Sequence, residues 1–349
     1  MKMLRGFKAL YFESDENYDE KELLLKDMVF NDISPEQGSP AWLKARERTI
    51  GGSEMAIVRG EDKYKSVKEL IRLKCGLDSF NGNKATRWGK LFEPVAIRLV
   101  EILFGCHVYQ LGIIKGCING TTFSPDGLAV ISNININNLI SRGLIKEHKV
   151  PSNPLVLFEF KCPFTRIPSS SIPKNYMAQP LSGLSHMKFL DMGYFVDLMF
   201  RKCSLEMMTD SRRDEIDLTY HRPNSLTAIG FGIIGVYIDS PDTIDVESII
   251  DFGAPNTMIA NEKYLYKYFD IHFAPTTRDV SIFIDYCCKN NYKCVGVLPY
   301  KLFKISITPV YRTEGFVEDM EPDINAIINR IDIINSAPDK ETKFNEIFN

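Results

Sequence analysis

Several features that would define common protein classes are missing from this sequence of 349 residues. No run approaches the roughly 18 apolar residues of a transmembrane helix, and no sustained apolar segment follows the basic residues near the first methionine, so neither membrane spanning nor secretion is expected. Eight cysteines are scattered without a CxxC pair, and the five histidines show no ligand spacing. We therefore expect reduced thiols in an intracellular compartment and no zinc centre.

The net charge is also small, at −3, which argues against a protein that coats DNA indiscriminately. The charges are unevenly placed: residues 13–22 carry six acids and one lysine, whereas residues 160–190 carry four basic side chains and no acid. Residues 40–74 are basic as well, with nine Lys or Arg against five acids. These two basic segments indicate a local track for phosphate groups. The alternative is that they are ordinary surface side chains.

The chain divides into an acidic N-terminal extension, residues 1–38, and a single elaborated domain, residues 39–349. We expect the extension to pack loosely or to cover a sheet edge. Within the domain, residues 40–203 hold the motifs that carry chemistry, and residues 204–349 form a β-rich and helical elaboration. Residues 132–152 are rich in Asn with scattered basic residues, which predicts a long hairpin insertion, a basic loop whose role the sequence does not define.

Helix signals are frequent in the first part of this domain. Ser39 before Pro40 predicts a helix start, Ser53 is expected to cap a short second helix, and Ser66 with Glu69 forms a capping-box pattern. Between residues 88 and 105 apolar residues recur at helical spacing, with Glu93 offset from the apolar stripe. Strand-like segments follow at 107–118, 121–130 and 154–161. Three helices followed by a β-meander imply a mixed α/β (α+β) domain.

The strongest chemical signal comes from Asp126, within Ser-Pro-Asp-Gly, and from the strand that ends Glu159-Phe160-Lys161. Strand side chains alternate faces, so Glu159 and Lys161 project together while Phe160 points into the opposite layer. If Asp126 ends a neighbouring strand, two carboxylates converge beside an ammonium, as a Mg²⁺-dependent phosphoryl site requires. Each half alone has a structural explanation, because Asp-Gly is a common turn and Glu-x-Lys is often a solvated face.

Five segments in one order carry a resemblance to a known family. They are Trp42-Leu-Lys-Ala-Arg46 with Ile50-Gly-Gly-Ser53, Trp88-Gly-Lys-Leu-Phe-Glu93, Ser124-Pro-Asp126-Gly, Glu159-Phe-Lys161-Cys-Pro-Phe and Tyr176-Met-Ala-Gln179. Together they resemble the lambda-exonuclease-like (viral recombinase) family of PD-(D/E)XK nucleases, especially the exonuclease-like proteins of large cytoplasmic DNA viruses. The resemblance implies a restriction-endonuclease-like core with a central mixed β-sheet flanked by helices.

The resemblance also implies a role for each matching residue. Asp126 and Glu159 would ligate Mg²⁺, with Mn²⁺ as a substitute and two ions expected. The Phe160 backbone carbonyl would be a further ligand, and Glu93 would act at a second metal position or through water. Lys161 would help to activate the water and Gln179 would hold the scissile strand or the nucleophile. Arg46 and Ser53 match the positions that receive a terminal 5′-phosphate, a task that suits a guanidinium and a hydroxyl at a helix start.

The implied function is a Mg²⁺-dependent exonuclease that digests duplex DNA ends, 5′ to 3′, in viral DNA recombination, repair or replication in the host cytoplasm. Two alternatives stay open: a catalytically idle DNA-end-binding or recombination scaffold, and an endonuclease of the same fold. Double-stranded DNA ends are the expected partner. A single-strand-annealing or recombination partner and a homo-oligomer are further expectations. No membrane is expected as a partner.

Overall fold

The computed structural model describes residues 16–35, 39–79, 82–209, 230–238, 250–251, 264–271, 276–289 and 293–348. Its helices in these ranges are α1 (Glu16–Phe30), α2 (Pro40–Ala45), α3 (Met55–Val58), α4 (Val67–Lys74), α5 (Lys84–Phe104), α6 (Asn133–Ser141), α7 (Lys174–His186), α8 (Leu205–Thr209), α9 (Thr277–Lys289), α10 (Glu321–Asn335) and α11 (Lys340–Phe348). Its strands are β1 (Ile50–Gly51), β2 (Ile114–Lys115), β3 (Thr121–Phe123), β4 (Gly127–Val130), β5 (Leu155–Lys161), β6 (Met192–Lys202), β7 (Gly230–Ile238), β8 (Ile250–Asp251), β9 (Tyr264–Tyr268) and β10 (Lys293–Val310).

A mixed sheet forms the centre of the fold, in the order β4-β5-β6-β10-β7-β9, with β8 paired to β10. Strand β5 runs antiparallel to β4 and parallel to β6, while β10 is antiparallel to both β6 and β7. The parallel pair requires a crossover connection, and α7 provides it. The meander expected over residues 107–161 is wrong, because β3 pairs with β1 and β2 in a separate sheet, so β3 and β4 are not neighbours. The mixed sheet flanked by helices is confirmed.

The two faces of β5 are buried against different helices. Val156, Phe158 and Phe160 pack in one core cluster together with residues of α5 and α6. Leu155 and Leu157 pack on the opposite face, in a cluster that includes residues of α7 and α1. A strand buried on both faces reads as a continuous apolar run, as this one does until its last residues.

A smaller sheet, in the order β1-β3-β2, lies beside the large one. Strand β1 pairs in parallel with β3, so that Ile50 lies opposite Thr121 and Gly51 opposite Thr122. Ile50 and the apolar residues of α3 and α4 share a core cluster with the buried isoleucines of α10. The C-terminal helices therefore support the segment that contains β1.

Several local predictions are confirmed in atomic detail. Ser39 accepts a hydrogen bond from the Trp42 amide at the start of α2, and Pro40 occupies the first helical position. Ser66 accepts from the Glu69 amide while Glu69 accepts from the Ser66 amide, which completes the capping box of α4. Such caps satisfy amide groups that have no partner within the helix.

The predicted Ser53 cap is wrong. A short 3-10 turn over Gly52–Glu54 precedes α3, its N-terminal cap is Gly51, and Ser53 lies inside the turn with an exposed side chain. The Gly51 amide donates to the Glu54 carboxylate at 2.7 Å. The Glu54 carboxylate therefore satisfies the amide at the start of the turn. Its side chain is long enough to reach back to this amide from within the turn.

The predicted hairpin insertion over 132–152 is also wrong, because α6 occupies its first half. Ser132 caps the helix, Ile136 and Leu139 are buried, and the side-chain amide of Asn135 donates to the Phe104 carbonyl at 2.6 Å. Asparagine is a poor helix former, so the Asn-rich composition argued against a helix although the buried side chains are three residues apart. Tertiary contacts with α5 supply what local preference does not.

The acidic extension docks on the body of the protein through α1. Leu25 is fully buried and packs in the cluster that contains β4, the edge strand of the large sheet. Glu22 accepts a 2.5 Å hydrogen bond from the Tyr109 hydroxyl, and Lys21 pairs with Asp191 at 2.9 Å. The expectation that the extension covers an edge agrees with this helix, while residues 1–15 lie outside the described residues.

Candidate active site

Asp126 lies between two strands that belong to different sheets. Strand β3 ends at Phe123 and β4 begins at Gly127, so the predicted single segment over 121–130 is interrupted at Ser-Pro-Asp. Pro125 cannot donate a ladder hydrogen bond, which ends the first strand. Gly127 pairs with Phe158 in the antiparallel ladder, so Asp126 lies one step further, beside Glu159. The Asp126 carboxylate accepts a 3.0 Å hydrogen bond from the Phe160 amide.

Glu159 and Lys161 project from the same face of β5, as predicted from strand alternation. The Lys161 ammonium lies 2.5 Å from the Glu159 carboxylate and donates to the Gln179 amide oxygen at 3.2 Å. Gln179 reaches this position because α7 packs across the same face of β5. Strand pairing and helix packing thus bring four of the five predicted catalytic side chains into one group.

Glu93, the fifth, approaches from α5 on the other side of the sheet. Burial, followed by repulsion from the Asp126 carboxylate, raises the pKa of Glu93 to about 7. The same two causes raise the pKa of Glu159 to about 8. Burial alone would lower the pKa of Lys161, but the carboxylates of Glu159 and Asp126 outweigh it and raise that pKa. The site therefore holds three acidic groups that are costly to ionise together, beside the Lys161 ammonium and with Lys90 near Glu93.

These donors fit a divalent cation. Glu159 is fully buried, and among the described atoms its Oε2 has no hydrogen-bond partner. An orphaned carboxylate oxygen in a buried group is costly unless a positive charge satisfies it. Within the described residues, no three His, Cys, Asp or Glu side chains are placed to hold one ion. Asp126 and Glu159 would thus hold it together with carbonyl, water or phosphate oxygens, the mixed ligand set that Mg²⁺ prefers.

The two predicted phosphate-binding residues lie in the loop between α2 and α3. The Arg46 guanidinium stacks over the Trp42 ring, with 4.3 Å between its carbon and the ring centroid. In the part of the chain that the structure describes, Arg46 forms no ion pair. A Cβ on Gly51 would overlap this guanidinium, so the glycine makes room for it. The Arg46 side chain is half-buried. Stacking on Trp42 holds its guanidinium in place, and the guanidinium is available to bind an anion.

The Arg46 loop is connected to the carboxylates by short structural links. Strand β1 pairs with β3, and Asp126 follows Thr122 by four residues, a span of at most about 14 Å of extended chain. The 3-10 turn Gly52–Glu54 packs against α7, where a Cβ on Gly52 would lie 3.6 Å from the Ser182 hydroxyl. The helix that positions Gln179 therefore also supports the loop that carries Arg46 and Ser53.

Sequence reasoning missed an ion pair next to the site, between a half-buried arginine and a buried aspartate. Arg166, in the loop after β5, binds both carboxylate oxygens of Asp197 on β6, the second of them at 2.9 Å. Asp197 lies opposite Lys161 in the parallel ladder. Both Arg166 and Lys161 contact the face of the Tyr176 ring, at 5.2 Å and 5.7 Å from its centroid. A charged residue in the otherwise apolar run of β6 was the available signal.

The arrangement defines a class of site: two carboxylates at the ends of adjacent strands, with a lysine two residues beyond one of them. This is the geometry that the resemblance to PD-(D/E)XK nucleases predicts. Residues 41–185 match the YqaJ-like viral recombinase domain. This match confirms the resemblance to the lambda-exonuclease-like family over these residues.

The relatives that match most of the chain include viral proteins. Proteins from the Vero-adapted Badajoz strain and from a Malawi tick isolate of African swine fever virus are each 28% identical over 336 residues, which cover 91% of this chain and 92% of the relative. Among solved structures, the chain is similar to an alkaline exonuclease (LHK-Exo) from Laribacter hongkongensis, with 14% identity and a TM-score of 0.41 over 89% of this chain and 96% of that one. The same enzyme in complex with dAMP has 15% identity and a TM-score of 0.42, over 88% and 96%.

None of the helices in the described ranges is long and apolar enough to cross a membrane.

Proposed function

We propose that this protein is a divalent-metal-dependent exonuclease that hydrolyses phosphodiester bonds from the ends of double-stranded DNA. One observation carries the proposal: the Lys161 ammonium lies between Glu159 and Gln179 while Asp126 is held beside Glu159 by the Phe160 amide. The match to the YqaJ-like viral recombinase domain supports the same reaction class.

Each residue of the group has a role that follows from its position. A cation held by Asp126 and Glu159, Mg²⁺ or Mn²⁺, would neutralise phosphate charge and acidify a bound water. We propose that Lys161 donates to that water or to a phosphate oxygen and fixes its direction of attack. Gln179 holds Lys161 in place through its amide oxygen and leaves its amide nitrogen for the substrate. The pKa of Glu93 is raised. We propose that this carboxylate would bind a second ion, either directly or through a bridging water.

We propose that Arg46 and Ser53 receive the 5′-phosphate of a DNA end. Arg46 supplies a guanidinium that is stacked on Trp42 and has no ion pair among the described residues, and the exposed Ser53 hydroxyl lies in the turn that follows β1. A site that binds a terminal phosphate favours an end over an internal position and gives digestion a 5′-to-3′ direction. The match to a viral recombinase domain and the similarity to African swine fever virus proteins along 91% of the chain support a role in viral DNA recombination. We extend the proposal to repair or replication in the host cytoplasm.

The test is digestion of linear duplexes labelled at one end. Three substrates are compared at equal concentration: a 5′-phosphorylated linear duplex, the same duplex with 5′-hydroxyl ends, and a covalently closed circle. Reactions contain Mg²⁺, Mn²⁺ or a chelator. We expect metal-dependent release of nucleotides from the 5′ end, faster digestion of phosphorylated ends, and no digestion of the circle.

Other outcomes separate the alternatives. Comparable degradation of closed circles would indicate an endonuclease of the same fold. Tight binding to duplex ends without hydrolysis in either metal would indicate an end-binding scaffold. A protein that binds no DNA would contradict all of these functions.

A further inference from the structure

Lys74 is a buried lysine that the proposed chemistry does not use. It occupies the last turn of α4, and its side chain is only 9% exposed. The ammonium donates to the Arg46 carbonyl at 2.9 Å and to the Thr49 carbonyl at 2.8 Å. It also lies 2.8 Å from one oxygen of the Glu54 carboxylate. An ammonium has three donors, so all the donors of Lys74 are engaged.

These three acceptors belong to the loop that carries the proposed phosphate-binding residues. Arg46 begins the loop, Thr49 lies at its centre, and Glu54 follows Ser53 directly. The second oxygen of Glu54 accepts from the Gly51 amide at 2.7 Å. Lys74 and Glu54 thus join both ends and the middle of the loop through charge-assisted hydrogen bonds, which are about twice as strong as neutral ones.

The helix that carries Lys74 is itself held firmly at both ends. Its N-terminus has the Ser66–Glu69 capping box. Near its C-terminus, Arg72 pairs with Glu341 of α11 at 2.8 Å, and Lys340 donates to the Cys75 carbonyl at 3.1 Å. The C-terminal helices therefore fix the position from which Lys74 reaches the loop.

We infer that Lys74 is a positioning residue for the 5′-phosphate site: it holds the Arg46–Glu54 loop in the conformation that aims Arg46 and Ser53 at a terminal phosphate. Because its three donors are saturated within the protein, Lys74 does not contact the phosphate. The inference rests on the proposed function and extends it to the specificity for DNA ends. Without the ammonium, two carbonyls and a carboxylate on the loop lose their partner, and the loop relaxes around water.

The test compares Lys74→Met with the control Lys63→Met, which removes an exposed lysine from the loop before the same helix. The readout is the ratio of the digestion rate on 5′-phosphorylated ends to the rate on 5′-hydroxyl ends. For Lys74→Met we expect this ratio to fall at least about tenfold, equivalent to about 1.4 kcal/mol, with the 5′-hydroxyl rate within about twofold of wild type. Lys63→Met should keep the wild-type ratio.

Two further variants protect the test against misfolding and against a simple charge effect. Glu54→Gln keeps the ammonium but weakens the ion pair, and it should lower the ratio by a smaller factor. Lys74→Arg keeps the charge, but a planar guanidinium cannot direct its donors at three acceptors around one point. It should therefore fail to restore the ratio. Circular dichroism and thermal melting show whether each variant is folded.

The outcomes distinguish this inference from the proposed function. A wild-type protein that digests no duplex, or that ignores the 5′-phosphate, would overturn the proposed function or its phosphate site and the present inference with it. A wild type with a clear 5′-phosphate preference that Lys74→Met retains would overturn the role of Lys74 alone. Equal loss of rate on both ends, or full restoration by Lys74→Arg, would also overturn it, because those results indicate a structural role or a long-range charge.

Discussion

Replacement of Glu159 by glutamine tests whether the ionised Glu159 carboxylate destabilises the folded protein when no cation is bound. The side chain is fully buried, and burial together with Asp126 raises its pKa from an ordinary 4.5 to about 8. In the metal-free protein, the folded state then binds one more proton than the unfolded chain between these two values. Stability is therefore present at low pH and is lost as the pH rises toward 8.

The size of the effect follows from the pKa. Each pH unit in that interval corresponds to about 1.4 kcal/mol, so a rise from about pH 6 to about pH 8 removes up to about 3 kcal/mol. Water penetration and loss of the Lys161 contact reduce the difference between the two proteins. When the pH is raised from about 6 to about 9 in the presence of a chelator, wild type should lose stability that Glu159→Gln keeps. We expect the free energy of unfolding of Glu159→Gln to increase by about 1 to 3 kcal/mol relative to that of wild type. The contribution of Glu93 is present in both proteins.

The assay is urea unfolding and thermal melting of the full chain at the two pH values, with and without Mn²⁺ or Mg²⁺. The exposed Glu206→Gln is the matched control and should show no pH-dependent gain. At the higher pH the metal should raise the melting temperature of wild type but not of Glu159→Gln. If Glu159→Gln is less stable than wild type at high pH in chelator, the carboxylate is not held at a cost, and the reasoning about the site is refuted.

Three further predictions concern the surroundings of the site. Lys161→Met should reduce metal-dependent digestion at least about a hundredfold while the melting profile shows a folded protein, since it removes the group that orients the water; retained activity would contradict the assigned role. Gly51→Ala should lower the preference for 5′-phosphate ends about tenfold, because its Cβ displaces the Arg46 guanidinium; an unchanged preference would exclude Arg46 from the phosphate site. Arg166→Met removes the partner of the buried Asp197 carboxylate. It should therefore destabilise the protein by about 3 to 5 kcal/mol, measured by urea unfolding. Asp197→Asn should cost less, and the opposite order would contradict an ionised Asp197.

Local features of the fold were accessible from the sequence because their causes lie within a few residues. The Ser39 and Ser66 caps depend on a hydroxyl and the amides of the next turn, and both are confirmed. The alternation of β5 placed Glu159 and Lys161 on one face, and the structure brings their charged groups together. The failures have the opposite character: α6 forms in an Asn-rich segment because its buried face packs against α5, a contact that local preference does not contain.

What the sequence determined by itself is therefore the identity of the chemical groups and the faces on which they project. The tertiary structure decided how far apart these groups lie. The antiparallel register of β4 with β5 brings Asp126 beside Glu159, and the packing of α7 delivers Gln179 to Lys161. The reach of Lys74 into the Arg46 loop depends on helices at the far end of the chain. Strand register and helix packing depend on the burial of apolar side chains throughout the molecule. They therefore cannot be predicted from the spacing of residues along the chain.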